Sequence, residues 1–294
     1  MPAFAFDWVD AFTDQPFGGN GCAVFHDAAT LDEETCTAIV RETSLSECTF
    51  LGPSDVADIR VRYFLASREI PFAGHPTIAT VASMIERGMV PGDTLSLETL
   101  AGVISVEIRR GQGAPEIIMT QNAPEFGKPV RAALVAEAMG LKPADIIAPP
   151  QMVSTGLEFC IALLSGHDAL RRAKLNPEGF KHFQNVVAGP DTEVMEPFLV
   201  TLSGATDAGD TFSRMLMVPP APPEDPFTGS ATGCMAAYLW HNGLIDTPKF
   251  TAQQGHWMGR PGQAKVEVLG PRDAILGVRV AGQGRVLMRG EILL

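Results

Sequence analysis

The chain has 294 residues, 46% of them hydrophobic and 19% charged, and a formal net charge of −12. That length fits two domains of about 150 residues each, and the composition is ordinary for a globular protein with two cores. The acidic balance disfavours nucleic acid and anionic membrane surfaces as partners.

In chain order, residues 3–12 mix aromatic, Val and Asp residues and predict a strand, followed by a turn-rich stretch at 13–21 and a short strand at 22–25. Acids open residues 32–44 and Cys36, Ile39 and Val40 share one face, which predicts a surface helix. Strands are expected at 46–52 and 59–65, then a helix at about 77–87, then strands at 95–100, 103–109 and 116–121. The Pro-, Gly- and Asn-rich segment 121–130 marks a domain boundary. After it, a helical pattern at 130–140 matches the 32–44 helix in role. Strands near 151–155 and 158–164, helical turns at 167–183 and strands near 197–202 and 212–218 come next. They lead to a stiff proline-dense loop, 218–223, a rigid brace ahead of Glu224-Asp225. A second charge-poor helix and strands near 249–253, 264–269, 275–280 and 285–293 close the chain.

One stretch occurs twice. PFAGHPTIATVASMIERG at 71–88 and PFTGSATGCMAAYLWHNG at 226–243 align without a gap and share Pro71/Pro226, Phe72/Phe227, Gly74/Gly229, Thr77/Thr232, Ala82/Ala237 and Gly88/Gly243. The offset, 226 − 71 = 155 residues, is that of a duplicated domain and not of a solenoid. In each copy an extended Pro-Phe leads to a glycine at a tight turn, then to a small or hydroxylated residue able to cap a helix. A charge-poor run follows and ends at a glycine suited to a C-cap. Helices apolar nearly all round are buried. Two of them with glycine-flanked N-termini offer N–H groups and positive dipole ends to an anion such as a carboxylate. The expected fold is α+β: two pseudo-symmetric domains, each a curved, barrel-like mixed sheet wrapped around a central buried helix. Residues 1–122, completed by the C-terminal strand near 284–294, form one domain and residues 123–283 the other, with the active site in the cleft between them.

Candidate chemical groups are Glu47, His75, Asp225, Ser230 and Asn20. Glu47 sits in a strand-like, apolar segment where desolvation would raise its pKa toward that of a general acid–base, although an exposed strand carboxylate reads the same way. His75 and Ser230 are pseudo-symmetric partners at the helix starts and equally readable as caps, and Asp225 as a turn residue before Pro226. The five cysteines (Cys22, Cys36, Cys48, Cys160, Cys234) lack C-x-x-C spacing, which suits a reducing compartment. Gly229-Ser230-Ala231-Thr232-Gly233 is no nucleophile elbow, because Thr228 stands two before Ser230. Gly18-Gly19-Asn20-Gly21 is neither a P-loop nor a dinucleotide fingerprint, and the histidines lack zinc spacing. No cofactor and no metal are expected. The N-terminus has no basic n-region and no apolar run approaches the ~20 residues of a membrane span, so a cytoplasmic protein is expected.

A set of motifs runs the length of the chain: Asp10-Ala11-Phe12-Thr13 with Phe17-Gly18-Gly19-Asn20, Ser46-Glu47 before Phe50-Leu51, Phe72-Ala73-Gly74-His75-Pro76-Thr77, Glu224-Asp225-Pro226-Phe227-Thr228-Gly229-Ser230-Ala231, and Gln254-Gly255 before Gly259-Arg260-Pro261. Together and in order they resemble the phenazine-biosynthesis isomerase (PhzF-like) family. The resemblance implies the diaminopimelate-epimerase-like fold, Glu47 as a proton-shuttling carboxylate, and His75 and Asp225 as its catalytic companions. It also implies Ser230, Asn20 and the backbone amides of Gly74 and Gly229 as substrate-anchoring groups, and it admits a homodimer. The best-known member isomerises trans-2,3-dihydro-3-hydroxyanthranilate, moving a hydrogen within the ring without any cofactor. Two departures stand out. Gly21 replaces the family's proline and would loosen a loop near the site. Ala73 and Thr228 occupy the places where the epimerase relatives carry their acid–base cysteines, and neither can act as a thiolate. The expectation is therefore one-base isomerisation of a small carboxylate by Glu47. The alternatives are an epimerase or racemase using Glu47 and Asp225 as unlike bases, and a non-catalytic binding member of the family.

Overall fold

Short alternating segments bounded by Gly, Pro and Asn make strands of much of the chain. The computed structural model describes residues 2–189, 192, 194–219 and 221–294. The first half runs β1 (Ala3–Ala11), β2 (Asn20–Phe25), α1 (Glu33–Thr43), β3 (Cys48–Gly52), β4 (Ile59–Phe64), β5 (Glu69–Ile70), α2 (Gly74–Glu86), β6 (Thr94–Thr99), β7 (Gly102–Arg109) and β8 (Glu116–Gln121). The second half begins with β9 (Glu125–Pro129), α3 (Ala132–Ala138), β10 (Gln151–Ser154), β11 (Glu158–Leu163), α4 (His167–Arg172), α5 (Pro177–Val187) and β12 (Phe198–Thr201). It continues with β13 (Thr211–Leu216), β14 (Glu224–Asp225), α6 (Gly229–His241), β15 (Lys249–Gln254), β16 (Gly262–Leu269) and β17 (Gly277–Gly282). The last strand, β18 (Gly284–Leu293), returns to pair with β1.

The pairing repeats strand for strand. In the first half β1–β2 is antiparallel, β2–β3 parallel, β3–β4 antiparallel, β4–β6 parallel, and β6–β7–β8 antiparallel. In the second, β10–β11, β11–β12, β12–β13, β13–β15 and β15–β16–β17 repeat those senses in the same order. β18 covers β1 as β9 covers β10, and β8 pairs with β17, so one sheet runs through both halves. α2 packs on β1, β2, β3, β8 and β18, and α6 on β10, β11, β12, β16 and β17. This is the expected α+β architecture, a curved sheet around one buried helix, twice. A domain division near 122/123 and 283/284 is our proposal, drawn along that pairing.

The duplication extends beyond the eighteen residues legible in the sequence. Arg62 pairs with Glu69 at 2.8 Å, and Arg214 with Glu224 at 2.7 Å, each bracing the hairpin that leads into a repeat helix. The hydroxyls of Thr77 and Thr232 donate back to the carbonyls of Ala73 (2.7 Å) and Thr228 (2.9 Å). Both helices are followed by a left-handed glycine, Gly88 at φ +71° and Gly243 at φ +68°, as a C-terminal stop requires. α1 starts as predicted, with Asp32 accepting from Thr35 N at 2.8 Å.

Several expectations need correction. α3 does not match α1 in role: it lies between β9 and β10, whereas the segment between β11 and β12, α1's topological place, holds α4 and α5. β9 falls in the predicted boundary loop. Its Gly127 lets the backbone press onto Met152, where a Cβ would come within 2.9 Å of the Met152 Cβ. The helices begin at Gly74 and Gly229 themselves, so these glycines are first helical residues and not turn residues. Pro76 fits there because the first turn needs no intrahelical donor. Within the proline-dense loop, Pro220 lies outside the described residues; Val218 N donates to Glu196 Oε1 at 2.7 Å. Among the described residues no helix is long and apolar enough to cross a membrane.

Candidate active site

The two repeat helices meet N-terminus to N-terminus. A Cβ on Gly74 would lie 2.6 Å from Ser230 N and 3.0 Å from the Gly229 Cα, so only glycine lets the two starts converge. Their N-cap residues, Ala73 and Thr228, make no side-chain capping bond. The caps expected just after each glycine, at His75 and Ser230, are therefore not formed: those residues lie inside the first turn, and of the actual N-cap residues Ala73 has no acceptor and Thr228 turns its hydroxyl to Asp225 Oδ2 at 2.6 Å. The first-turn N–H groups have no intrahelical acceptor, and two positive dipole ends point at the same space. α6 is the better donor, because Pro76 removes one N–H from α2.

Against this junction the fold sets three titratable groups. Glu47 immediately precedes β3, and its side chain is 19% exposed, while its Oε2 atom is buried with no hydrogen-bond partner among the described residues. Burial, with the nearby Asp225 charge adding to it, pushes the carboxyl up to about 8. His75 Nδ1 lies 3.9 Å from Glu47 Oε2, too far for a hydrogen bond. Burial drives the imidazole down to about 3, only partly offset by a hydrogen bond to the Gly21 main chain. His75 is thus neutral, and its Nε2 has no partner among the described residues. Asp225 is buried in β14 and pushed up to about 6 by desolvation, which outweighs the hydrogen bonds it accepts from Thr228 and Asn20. Two carboxyl groups from opposite halves of the sequence, near enough for the charge of one to act on the other, are raised into the neutral range.

The remaining predicted residues fall into two sets. Gly229 and Ser230 join Gly74 at the helix junction. The amide of Asn20, at the start of β2, is committed to the second half of the chain, donating to Asp225 Oδ1 at 2.8 Å and to Phe227 O at 2.9 Å. Its observed contacts hold Asp225 in place. Gly21 loosens nothing: it is paired with Asp10 inside the β1–β2 ladder, and a Cβ there would press on Leu45 at 3.2 Å.

Sequence reasoning assigned no role to several supporting groups. Gln254 accepts from Thr228 N (3.0 Å) and donates to Asp225 O (2.8 Å), fixing the turn into α6. Arg260 reaches from the second half to Asp10 (2.6 Å) and to the carbonyls of Gly18 (2.8 Å) and Gly19 (2.9 Å), so it fastens the loop before Asn20. Both lie in a quoted motif, yet the spacing alone does not say what they touch. Ser46 Oγ is a third, a buried hydroxyl beside Asp225. Phe12, at φ +64°, is a fourth: it stacks on Phe227 with ring centroids 4.2 Å apart. A bulky residue in the left-handed region costs about 1–2 kcal/mol, which the surrounding packing must offset.

The cysteines stand apart from this chemistry. All five are buried, and burial lifts Cys48 and Cys36 to about 12, Cys234 to about 11, and Cys22 and Cys160 upward as well. Thiolate is thereby suppressed at neutral pH.

Comparison with known proteins places the family, the fold and the class of enzyme. A family model described as phenazine biosynthesis-like protein matches residues 9–290. The chain is 32% identical over 296 residues to the uncharacterized isomerase YddE of Salmonella typhimurium, covering 96% of each. It is 30% identical to the trans-2,3-dihydro-3-hydroxyanthranilate isomerase of Pseudomonas aeruginosa, covering 97% of this chain and 98% of the other. Among solved structures, the Bacillus anthracis phenazine biosynthesis protein of the PhzF family superposes with a TM-score of 0.86 at 28% identity, covering 100% of both chains. A hydroxyproline epimerase from Agrobacterium vitis shares the fold at 14% identity, with a TM-score of 0.66 over 99% of this chain and 91% of the other. With isomerases matching end to end, the protein is an enzyme of the isomerase class. The chain belongs to the phenazine biosynthesis-like (PhzC-PhzF) family.

Proposed function

We propose that this isomerase shifts a proton within a small carboxylate substrate, without a cofactor, and that Glu47 is its general acid–base. The observation that carries the reading is the position of Glu47: a carboxyl group lifted to about 8, with a buried and unpartnered oxygen, beside the converging N-termini of α2 and α6. The helix amides hold the substrate's carboxylate. Ionised Glu47 takes a proton from carbon, so that a C–H bond breaks and an O–H bond forms. The electron pair left behind spreads through the conjugated system toward the carboxylate, where the N–H groups stabilise it. The same proton then returns to a different carbon. Neutral His75 offers Nε2 as an acceptor for a hydroxyl or amino substituent, and Asp225 faces the site from the other half.

The names of the Pseudomonas relatives support a dihydro-hydroxyanthranilate-like acid as the first substrate to try. The test is incubation with trans-2,3-dihydro-3-hydroxyanthranilate followed by proton NMR. Conversion to an isomer supports this reading; a substrate that binds in the cleft and is recovered unchanged overturns it. A second reading, epimerisation of a small amino or hydroxy acid, has one observation in its favour: Asp225, raised to about 6 on the opposing half, is a second carboxyl able to exchange a proton. Its two oxygens already accept from Asn20 and Thr228, which favours the one-base reading.

A further inference from the structure

The peptide joining Gly229 to Ser230 packs directly against Gly74, with Ser230 N 2.6 Å from where a Gly74 Cβ would be. Its carbonyl end is held from behind. Gln121, the last residue of β8, donates from Nε2 to Gly229 O at 2.9 Å. The orientation of this amide follows from its partner, since a carbonyl oxygen can only accept. Gln121 Oε1 in turn accepts from the Thr155 hydroxyl at 2.6 Å. Gln121 and Thr155 are only 3% and 4% exposed. Gly233, one turn along α6, completes the socket: a Cβ there would collide with Gln121 Oε1. Three separate segments therefore meet at the Gln121 amide, and of their side chains that amide alone reaches the Gly229 carbonyl oxygen.

We propose that Gln121 is a positioning residue for substrate binding, acting through the Gly229–Ser230 peptide. A peptide unit is planar and resonance-coupled. A donor on its carbonyl fixes its plane and polarises the N–H at its other end, since bonded chains strengthen one another in a low-dielectric interior. That N–H is a first-turn donor of α6, and a charge-assisted bond from it to a carboxylate is about twice as strong as a neutral one. Gln121 also ends the strand from which the chain crosses into the second half, so the socket ties that crossover to the anion end of α6. The inference rests on the reading that the helix N-termini hold the substrate's carboxylate.

The test compares anthranilate (2-aminobenzoate) with its neutral amide, 2-aminobenzamide, by isothermal titration into wild type and Gln121→Met. The methionine keeps the length of the side chain and removes the donor. Anthranilate affinity is expected to fall about fivefold, the size of one net hydrogen bond, while 2-aminobenzamide affinity is unchanged. A general loss of packing would weaken both ligands alike and overturns the inference, as does equal anthranilate binding by the two proteins. Thr155→Val serves if Gln121→Met does not fold: it leaves the donor in place but releases the amide to turn, and a smaller loss confined to anthranilate is expected. Wild type that binds neither ligand overturns the carboxylate reading and the inference with it. Wild type that binds anthranilate while both variants bind it equally overturns the inference alone.

Discussion

Glu47→Gln is expected to lower turnover by at least ~10²-fold, and up to ~10⁴-fold, the range for loss of a general acid–base. Affinity for small carboxylates should be nearly unchanged, because the helix amides and not Glu47 hold them. The same variant should become more stable than wild type in alkaline solution. An unfolded glutamate titrates near ~4.3, and the folded Glu47 at about 8. Between those values the folded protein holds a proton that the unfolded chain does not. Stability therefore falls as pH rises through that window and is lowest above it. Asp225, raised to about 6, adds the same sign over a narrower window. Glutamine cannot ionise and escapes the penalty. Urea unfolding at pH 9 should show the variant ahead by something on the order of 2–4 kcal/mol, and level at pH 4. A variant less stable than wild type at pH 9 would mean that a partner holds the Glu47 carboxylate, and with it the basis for a raised pKa fails.

The second large effect is expected at Gly74. Its missing side chain is what allows α2 to meet the Ser230 amide and the Gly229 backbone. These neighbours are main chain, which cannot rotate away. Gly74→Val should cost about 1–3 kcal/mol of stability through overpacking and part the two helix starts. Protection against heating by millimolar anthranilate or sulfate, a mass-action effect of binding, should then vanish. Gly88→Ala is the control. Gly88 is at φ +71° with nothing within 4 Å of a Cβ, so the alanine costs roughly 1 kcal/mol of backbone strain without touching the cleft. It should lower the melting temperature and keep full protection by the anion. Protection that survives in Gly74→Val would place the anion elsewhere.

Much of this fold is legible in the sequence because the repeat carries its own punctuation. Pro-Phe, Gly and the terminal Gly88 or Gly243 bracket each buried helix, and alternation at Ile59, Val61 and Tyr63 marks a half-buried strand. What escapes is set by contacts between segments distant in sequence. β5 and β14 are two-residue strands, too short to show alternation, each joined to its neighbour by an Arg–Glu pair across a hairpin. The sequence suggests a cap just after each glycine, at His75 and Ser230, but the helices start earlier and their N-cap positions fall on Ala73 and Thr228. Thr228 instead serves Asp225, which sits only three residues earlier but is held from 205 residues away by Asn20. The apolar segment around Glu47 allows a raised carboxyl, but an exposed strand carboxylate reads the same way, and only the burial of Oε2 decides between them. Its companions His75 and Asp225 are named only through the family resemblance, because nothing in a strand's local pattern says that they approach it from two different halves.

The central claim is that one shielded carboxyl group removes and returns the same proton. It is tested most directly by following a deuterium label. The wild-type enzyme, in ordinary water, is given trans-2,3-dihydro-3-hydroxyanthranilate carrying deuterium at the carbon that loses its hydrogen, and the product is examined by NMR. Return of part of the label to the new carbon, with turnover abolished in Glu47→Gln, is the predicted result. Product in which every transferred hydrogen comes from solvent, formed by a Glu47→Gln enzyme keeping more than about a tenth of wild-type activity, would contradict it.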